Sequence, residues 1–247
     1  MTLTYGSLFS GIGGLDLGLE RAGMRVIWQS EIDPYCSRVL AKHWPDVPNL
    51  GDITTIDWST VERPDLICGG YPCQPFSLAG ERRGADDPRH LWPHMLDAIR
   101  RLRPRWALLE NVTGHLGLGF DRVLADLAAL GFDAEWSTVS ACSVGASHMR
   151  RRLFCVAYPA GEGPPIGPAG QEGIAEAARR VEPERLGRGG RWPLSAAEPA
   201  VGREAHGLPG RVDRIRALGN VVVPQVGEYV GRLIVTTDAG LCVAGAQ

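Results

Sequence analysis

The sequence predicts an α/β protein: an open sheet whose strands alternate with helices. Three observations carry this. Short apolar stretches of strand length are separated by segments with helical apolar spacing. The first such stretch runs through a glycine turn into a helix, the layout of phosphate and dinucleotide loops. Two further stretches end at chemically active side chains, Cys73 and Glu110, at the strand ends where open α/β sheets bind ligands.

Residues 3–9 form the first strand and lead into Ser10-Gly11-Ile12-Gly13-Gly14. Leu15, Leu19 and Ala22 then recur at helical spacing, and Gly23 stops the helix. The match to G-x-G-x-x-G is incomplete, because Asp16 stands at the third glycine position. A second strand, Arg25 to Ser30, ends at Glu31, where a carboxylate suits ribose hydroxyls. Asp33-Pro34 is an N-cap followed by proline at the first helical position, and that helix reaches about Trp44. Gly51-Asp52-Ile53 is expected at the end of a third strand, with Asp52 either near an adenine amino group or an ordinary turn aspartate.

Asp65 to Cys68 is a buried strand broken by Gly69-Gly70-Tyr71-Pro72-Cys73-Gln74-Pro75-Phe76-Ser77. A cysteine on this loop reads either as a small core residue or as a nucleophile at a strand end; its surroundings favour the second. The polar stretch from Ala79 to Arg89 is expected to close over a substrate or to be a solvated connection. Leu91, Met95, Ile99 and Leu102 mark a helix, and His90 and His94 on it have no third ligand to make a metal site. Trp106 to Leu109 is a strand ending at Glu110-Asn111-Val112, and Phe120 to Leu130 is a helix stopped by Gly131. Ala134 to Ala141 and Leu153 to Tyr158 form a hairpin-like edge pair around His148-Met149-Arg150-Arg151-Arg152. Residues 159–210 are rich in glycine and proline without apolar periodicity and are expected to be a small irregular lobe or partly a disordered loop. A last helix starts near Pro224, and its tail is expected to fray after Thr236.

The chain has 247 residues, 44% of them hydrophobic, enough for one large domain with a small insert. Its net charge of −2 demands that any nucleic-acid contact come from a local basic face. Nearly all of the 26 basic residues are arginine, which suits phosphate and guanine contacts and also reflects GC-rich coding. The 6 cysteines show neither zinc-site nor disulfide spacing. With no leader and no apolar run of membrane-spanning length, the cytoplasm is the expected location.

These stretches, in this order, resemble a DNA (cytosine-5) methyltransferase of the bacterial or phage type. The Gly-Tyr-Pro-Cys-Gln-Pro-Phe-Ser loop carries most of the resemblance, with Leu8 to Gly14, Glu110-Asn111-Val112, Arg150-Arg151-Arg152 and Ala217-Leu218-Gly219-Asn220 in support. It covers roughly residues 5–158 and 211–235. It departs where His148 replaces the usual glutamine and Tyr71 the commoner phenylalanine. The resemblance implies a Rossmann-like, mostly parallel, seven-stranded methyltransferase sheet. Residues 1–158 and 211–247 would form the catalytic domain, and 159–210 a target-recognition lobe.

It further implies that Cys73 adds to carbon 6 of a flipped cytosine, that Glu110 binds the ring and supplies a proton, and that Arg150 and Arg152 orient this carboxylate and hold the base. Gln74, Ser77 and Asn111 would contact substrate. Phe9, Gly11, Gly13, Glu31, Ile32, Asp52, Ile53, Pro72, Leu91 and Asn220 fall at contact positions for S-adenosylmethionine, although Phe9, Ile32, Ile53 and Leu91 also suit plain packing. Double-stranded DNA is the implied partner of a monomer with no membrane contact, and a cognate restriction endonuclease is compatible with it. A tRNA methyltransferase and an inactive DNA-binding relative are the alternative readings.

Overall fold

A computed structural model describes residues 2–72, 91–161 and 217–244. Six strands form one sheet in the order β2-β1-β3-β4-β6-β5. They are β1 (Thr4–Leu8), β2 (Arg25–Ser30), β3 (Leu66–Gly69), β4 (Trp106–Val112), β5 (Phe132–Ser140) and β6 (Arg151–Pro159). The first four in that spatial order are mutually parallel, and β6 runs antiparallel to both β4 and β5. The predicted edge pair is therefore present, with β6 inserted between β4 and β5. The helices are α1 (Gly14–Arg21), α2 (Pro34–His43), α3 (Trp92–Leu102), α4 (Phe120–Ala129) and α5 (Pro224–Ala244).

Helices pack on both faces because the parallel strands β1 to β4 have two apolar sides to bury. On one face α1 and α5 place Leu15, Leu19, Val226, Val230 and Ile234 against Tyr5, Leu66, Cys68 and Leu108. On the other, α3 and α4 place Trp92, Met95, Ile99, Val123 and Leu127 against Leu8, Ile67, Ala107 and Leu109. Strand β3 is buried along its whole length, as a short central parallel strand must be. Asp33 caps α2 as expected: its carboxylate accepts the N–H groups of Tyr35 and Cys36 at 2.9 and 3.0 Å.

Three expectations need correction. No strand forms at Gly51-Asp52-Ile53; the pairing there is a single bridge between Gln29 and Asn49. Gly51 then turns away with φ 75°, and Asp52 accepts the N–H and hydroxyl of Thr54 in a tight turn. The described sheet accordingly counts six strands rather than seven. The last helix does not end near Thr236 but continues to Ala244. It is held there by Asp238, which meets Arg105 at 2.8 Å and accepts the Trp106 indole N–H at 3.1 Å. Strand β6 itself runs through Pro159.

Candidate active site

Strand register gathers the site. Ser30, Leu8, Gly69 and Leu109 lie side by side across β2, β1, β3 and β4. The next residue on each strand is Glu31, Phe9, Gly70 or Glu110, which puts these four in one row at the carboxyl edge. Strand order reverses between β1 and β3, and this is where an open sheet leaves a crevice. The crevice is a cleft of about 280 Å³ whose wall includes all four residues together with Gly11, Ile32, Pro72, Leu91 and Asn220. Seven of the ten predicted cofactor residues thus meet in it. The other three do not line it. Gly13 caps α1 beneath the Trp44 ring, Ile53 packs in the core with Ile27 and Trp28, and Asp52 is exposed in its turn.

The end of the cleft around Phe9 and Glu31 has a distinct geometry. Phe9 holds φ 54°, a left-handed conformation that an aromatic residue rarely adopts and that costs on the order of 1–3 kcal/mol. Glu31 is wired into the loop: Oε2 accepts the Gly11 N–H at 2.7 Å and Oε1 accepts the Asp33 N–H at 2.7 Å. Each carboxylate oxygen keeps a second lone pair for a ligand hydroxyl. Beneath the loop, Asp16 is fully buried and accepts Ser7 Oγ at 3.1 Å and Gln29 Nε2 at 2.9 Å. Burial raises its carboxyl to about 6 against the pull of these two bonds. The side chain that spoils the glycine motif therefore ties α1 to β1 and β2.

Glu110 closes the other end. It is nearly buried, and desolvation pushes its carboxyl up to about 7, even though Arg152 and Arg150 favour the charged form. Arg152 Nε lies 3.2 Å from Glu110 Oε1, and the Arg150 charge also acts on this carboxyl. A carboxyl near 7 is poised to give or take a proton at neutral pH. Gly70 explains its seat: a Cβ at residue 70 would stand 2.5 Å from Glu110 Oε2. In the sequence Gly70 stands out as a strand breaker and as the first residue of the Gly-Tyr-Pro-Cys loop, not as the wall behind Glu110. Asn111 does not face the cleft as a free group; its Nδ2 donates to the Tyr71 carbonyl at 3.1 Å and its Oδ1 accepts the Val112 N–H. Ser7, Ser10, Asp33, Cys36, Val221 and Val222 also line the cleft and were missed, because nothing in the linear order marks which strand, helix and loop residues will face one crevice. Cys73, Gln74 and Ser77, with the stretch from Ala79 to Arg89, His90 and residues 162–210, lie outside the described residues.

Residues 3–181 match the family model for C-5 cytosine-specific DNA methylases. Among curated proteins, the chain is 35% identical over 157 residues to the Type II methyltransferase M.HgiCII of Herpetosiphon aurantiacus, an alignment covering 60% of this chain and 36% of that one. It is 35% identical over 162 residues to the Type II methyltransferase M.NgoMIV of Neisseria gonorrhoeae, covering 64% and 52%. The alignments thus span between about a third and about half of these relatives' length. Among solved structures, the Schizosaccharomyces pombe Dnmt2 methyltransferase superposes with a TM-score of 0.59 at 21% identity, covering 73% of this chain and 56% of that one, a likeness of fold.

Proposed function

The chain belongs to the C-5 cytosine-specific DNA methylases, and from that premise we propose that it methylates carbon 5 of a cytosine in duplex DNA. The observation that carries this reading is Glu110: a buried carboxyl at about 7, paired with Arg152, across the same cleft from Phe9 and Glu31. In this reading S-adenosylmethionine occupies the cleft and supplies an electrophilic methyl group. The residues present suit it. The Phe9 ring offers a stacking face, the spare lone pairs of Glu31 match a vicinal diol, and Ile32 leaves apolar surface uncovered.

The chain's own groups supply the rest. The Cys73 thiolate adds to carbon 6 of a cytosine flipped out of the duplex, since the target atom is otherwise buried in the stack. Glu110 hands its proton to the ring nitrogen as the adduct forms, which makes carbon 5 nucleophilic. Arg152 and Arg150 hold the carboxylate that is left. Carbon 5 would take the methyl group as the donor leaves as a neutral thioether. A base then removes the carbon 5 proton, and the carbon 5–carbon 6 double bond re-forms as the carbon 6–sulfur bond breaks to release the Cys73 thiolate. The ring-nitrogen proton returns to Glu110. Residues after Gly161 read the flanking bases, because the catalytic half must accept any flipped cytosine.

Duplex DNA carrying 5-fluorocytosine provides the test, because no proton can leave carbon 5. The native protein is expected to form a covalent complex with it in the presence of S-adenosylmethionine. Cys73→Ala is expected to form none while still binding the cofactor. A covalent complex formed by Cys73→Ala, or methyl transfer to tRNA and not to DNA, contradicts the proposal.

A further inference from the structure

We propose that Tyr71 and His115 are a positioning pair, whose buried hydrogen bond holds the Gly70–Pro72 segment, which directly precedes Cys73 in the chain, in place beside Glu110. The inference rests on the reading of the cleft given above and adds two residues to it.

Both side chains are buried, and Tyr71 Oη lies 2.8 Å from His115 Nε2. The direction of the bond follows from the other ring nitrogen. His115 Nδ1 is 2.8 Å from the Leu118 carbonyl oxygen, which can only accept, so Nδ1 carries the proton and Nε2 receives the Tyr71 hydroxyl. The carbonyl of Leu118, which caps the short 3-10 helix Thr113–Gly117, thus selects the tautomer of the neutral ring that binds Tyr71.

Residue 71 is gripped twice from the chain that follows Glu110. Asn111 Nδ2 holds its carbonyl, and His115 holds its hydroxyl. Its ring also packs on Trp92 with centroids 5.2 Å apart, at the start of α3, next to the cleft residue Leu91. The neighbours of residue 71 are the ones that matter. Gly70 backs the Glu110 carboxyl, and Pro72 lines the cleft and precedes Cys73. Phenylalanine would fill the same ring space, so packing does not require the hydroxyl. A buried phenol is tolerated only with a partner, and the partner makes the placement directional. His115 touches no reacting atom in this scheme; it acts through Tyr71.

The test compares Tyr71→Phe, His115→Leu, the double variant and His115→Gln, whose amide oxygen can stand in for Nε2. Tyr71→Phe and His115→Leu are each expected to lower kcat for methyl transfer at least about tenfold, the scale on which misplaced groups slow a reaction. The KM for S-adenosylmethionine, whose cleft Pro72 lines, should change less than kcat does. The double variant should be no slower than the slower single one, and His115→Gln should recover to within about threefold of native. A second readout needs no methyl transfer: alkylation of Cys73 by iodoacetamide, followed on the Cys73 peptide by mass spectrometry, should change at least about threefold in both single variants. If the native protein transfers no methyl group to DNA, the functional reading fails while alkylation still judges the pair. Native kcat and alkylation in Tyr71→Phe, losses that multiply in the double variant, or a loss carried by KM for the cofactor would each overturn the proposal.

Discussion

At the scale of single residues, two buried carboxyls set the behaviour with pH. Glu110 sits at about 7, so its proton-donating form declines about tenfold per pH unit above neutrality. The alkaline limb of kcat/KM for DNA is expected near pH 7. Arg152→Gln removes a positive charge beside the carboxyl and should move that limb to higher pH. Glu110→Gln should abolish the limb and cost roughly a hundred- to ten-thousandfold in turnover; a pH–rate profile of the three proteins checks both statements. Asp16 has the same sign but acts on stability. Its folded value of about 6 lies above the ordinary 3.8 of the unfolded chain, so the folded state holds the extra proton between these values. Its contribution is fully present below about pH 4 and is lost as pH rises through 6, a change of about 3 kcal/mol. Asp16→Asn should flatten this component, so denaturant unfolding at pH 4 and pH 7 should show the variant gaining on the native protein by about that amount.

At the scale of elements, the contact of α1 with α5 sets the position of one cleft wall. Gly18 lies so close to α5 that a Cβ would stand 2.5 Å from the Pro224 carbonyl oxygen and 2.6 Å from the Glu228 nitrogen. Both are backbone atoms, which cannot swing aside as a side chain can. Gly227 and Gly231 continue the close approach against Leu15, Leu19 and Ala22. Gly18→Ala should therefore push the two helices apart, at a cost of about 1–3 kcal/mol in thermal or denaturant unfolding. Residues Asn220, Val221 and Val222 lead into α5 and line the cleft, so the affinity for S-adenosylmethionine, read by calorimetry, should fall in the same variant.

At the scale of the whole molecule, chemistry and target choice are proposed to occupy different parts of the chain. The sheet aligns Glu31, Phe9, Gly70 and Glu110 whatever the flanking DNA sequence. The segment after β6 carries Arg179, Arg180, Arg185, Arg188, Arg191 and Arg203, and guanidinium groups suit guanine edges at about 1–3 kcal/mol per bidentate contact. Exchanging residues 162–210 for the corresponding segment of a relative with a different target should move methylation to that target, as mapped by sequencing for 5-methylcytosine. An active chimera that keeps the original site would refute the division.

The features legible in the sequence were local ones. Apolar period, the Asp33-Pro34 cap and the Gly23 and Gly131 stops predicted the helices, and the strand ends at Glu31 and Glu110 marked two side chains that line the cleft, because these depend on neighbours a few residues away. Chain folding decided what depends on distant partners. The turn at Asp52 replaced a strand once Gly51 bent away from Gln29, and α5 outran its expected end because Arg105 and Trp106, far back in the chain, hold Asp238. The seat of Glu110 against Gly70, its rise to about 7 and the bond from Tyr71 to His115 arise only when β3, β4 and the turn after them are brought together. Burial and hydrogen-bond direction are sums over groups that the linear order keeps apart.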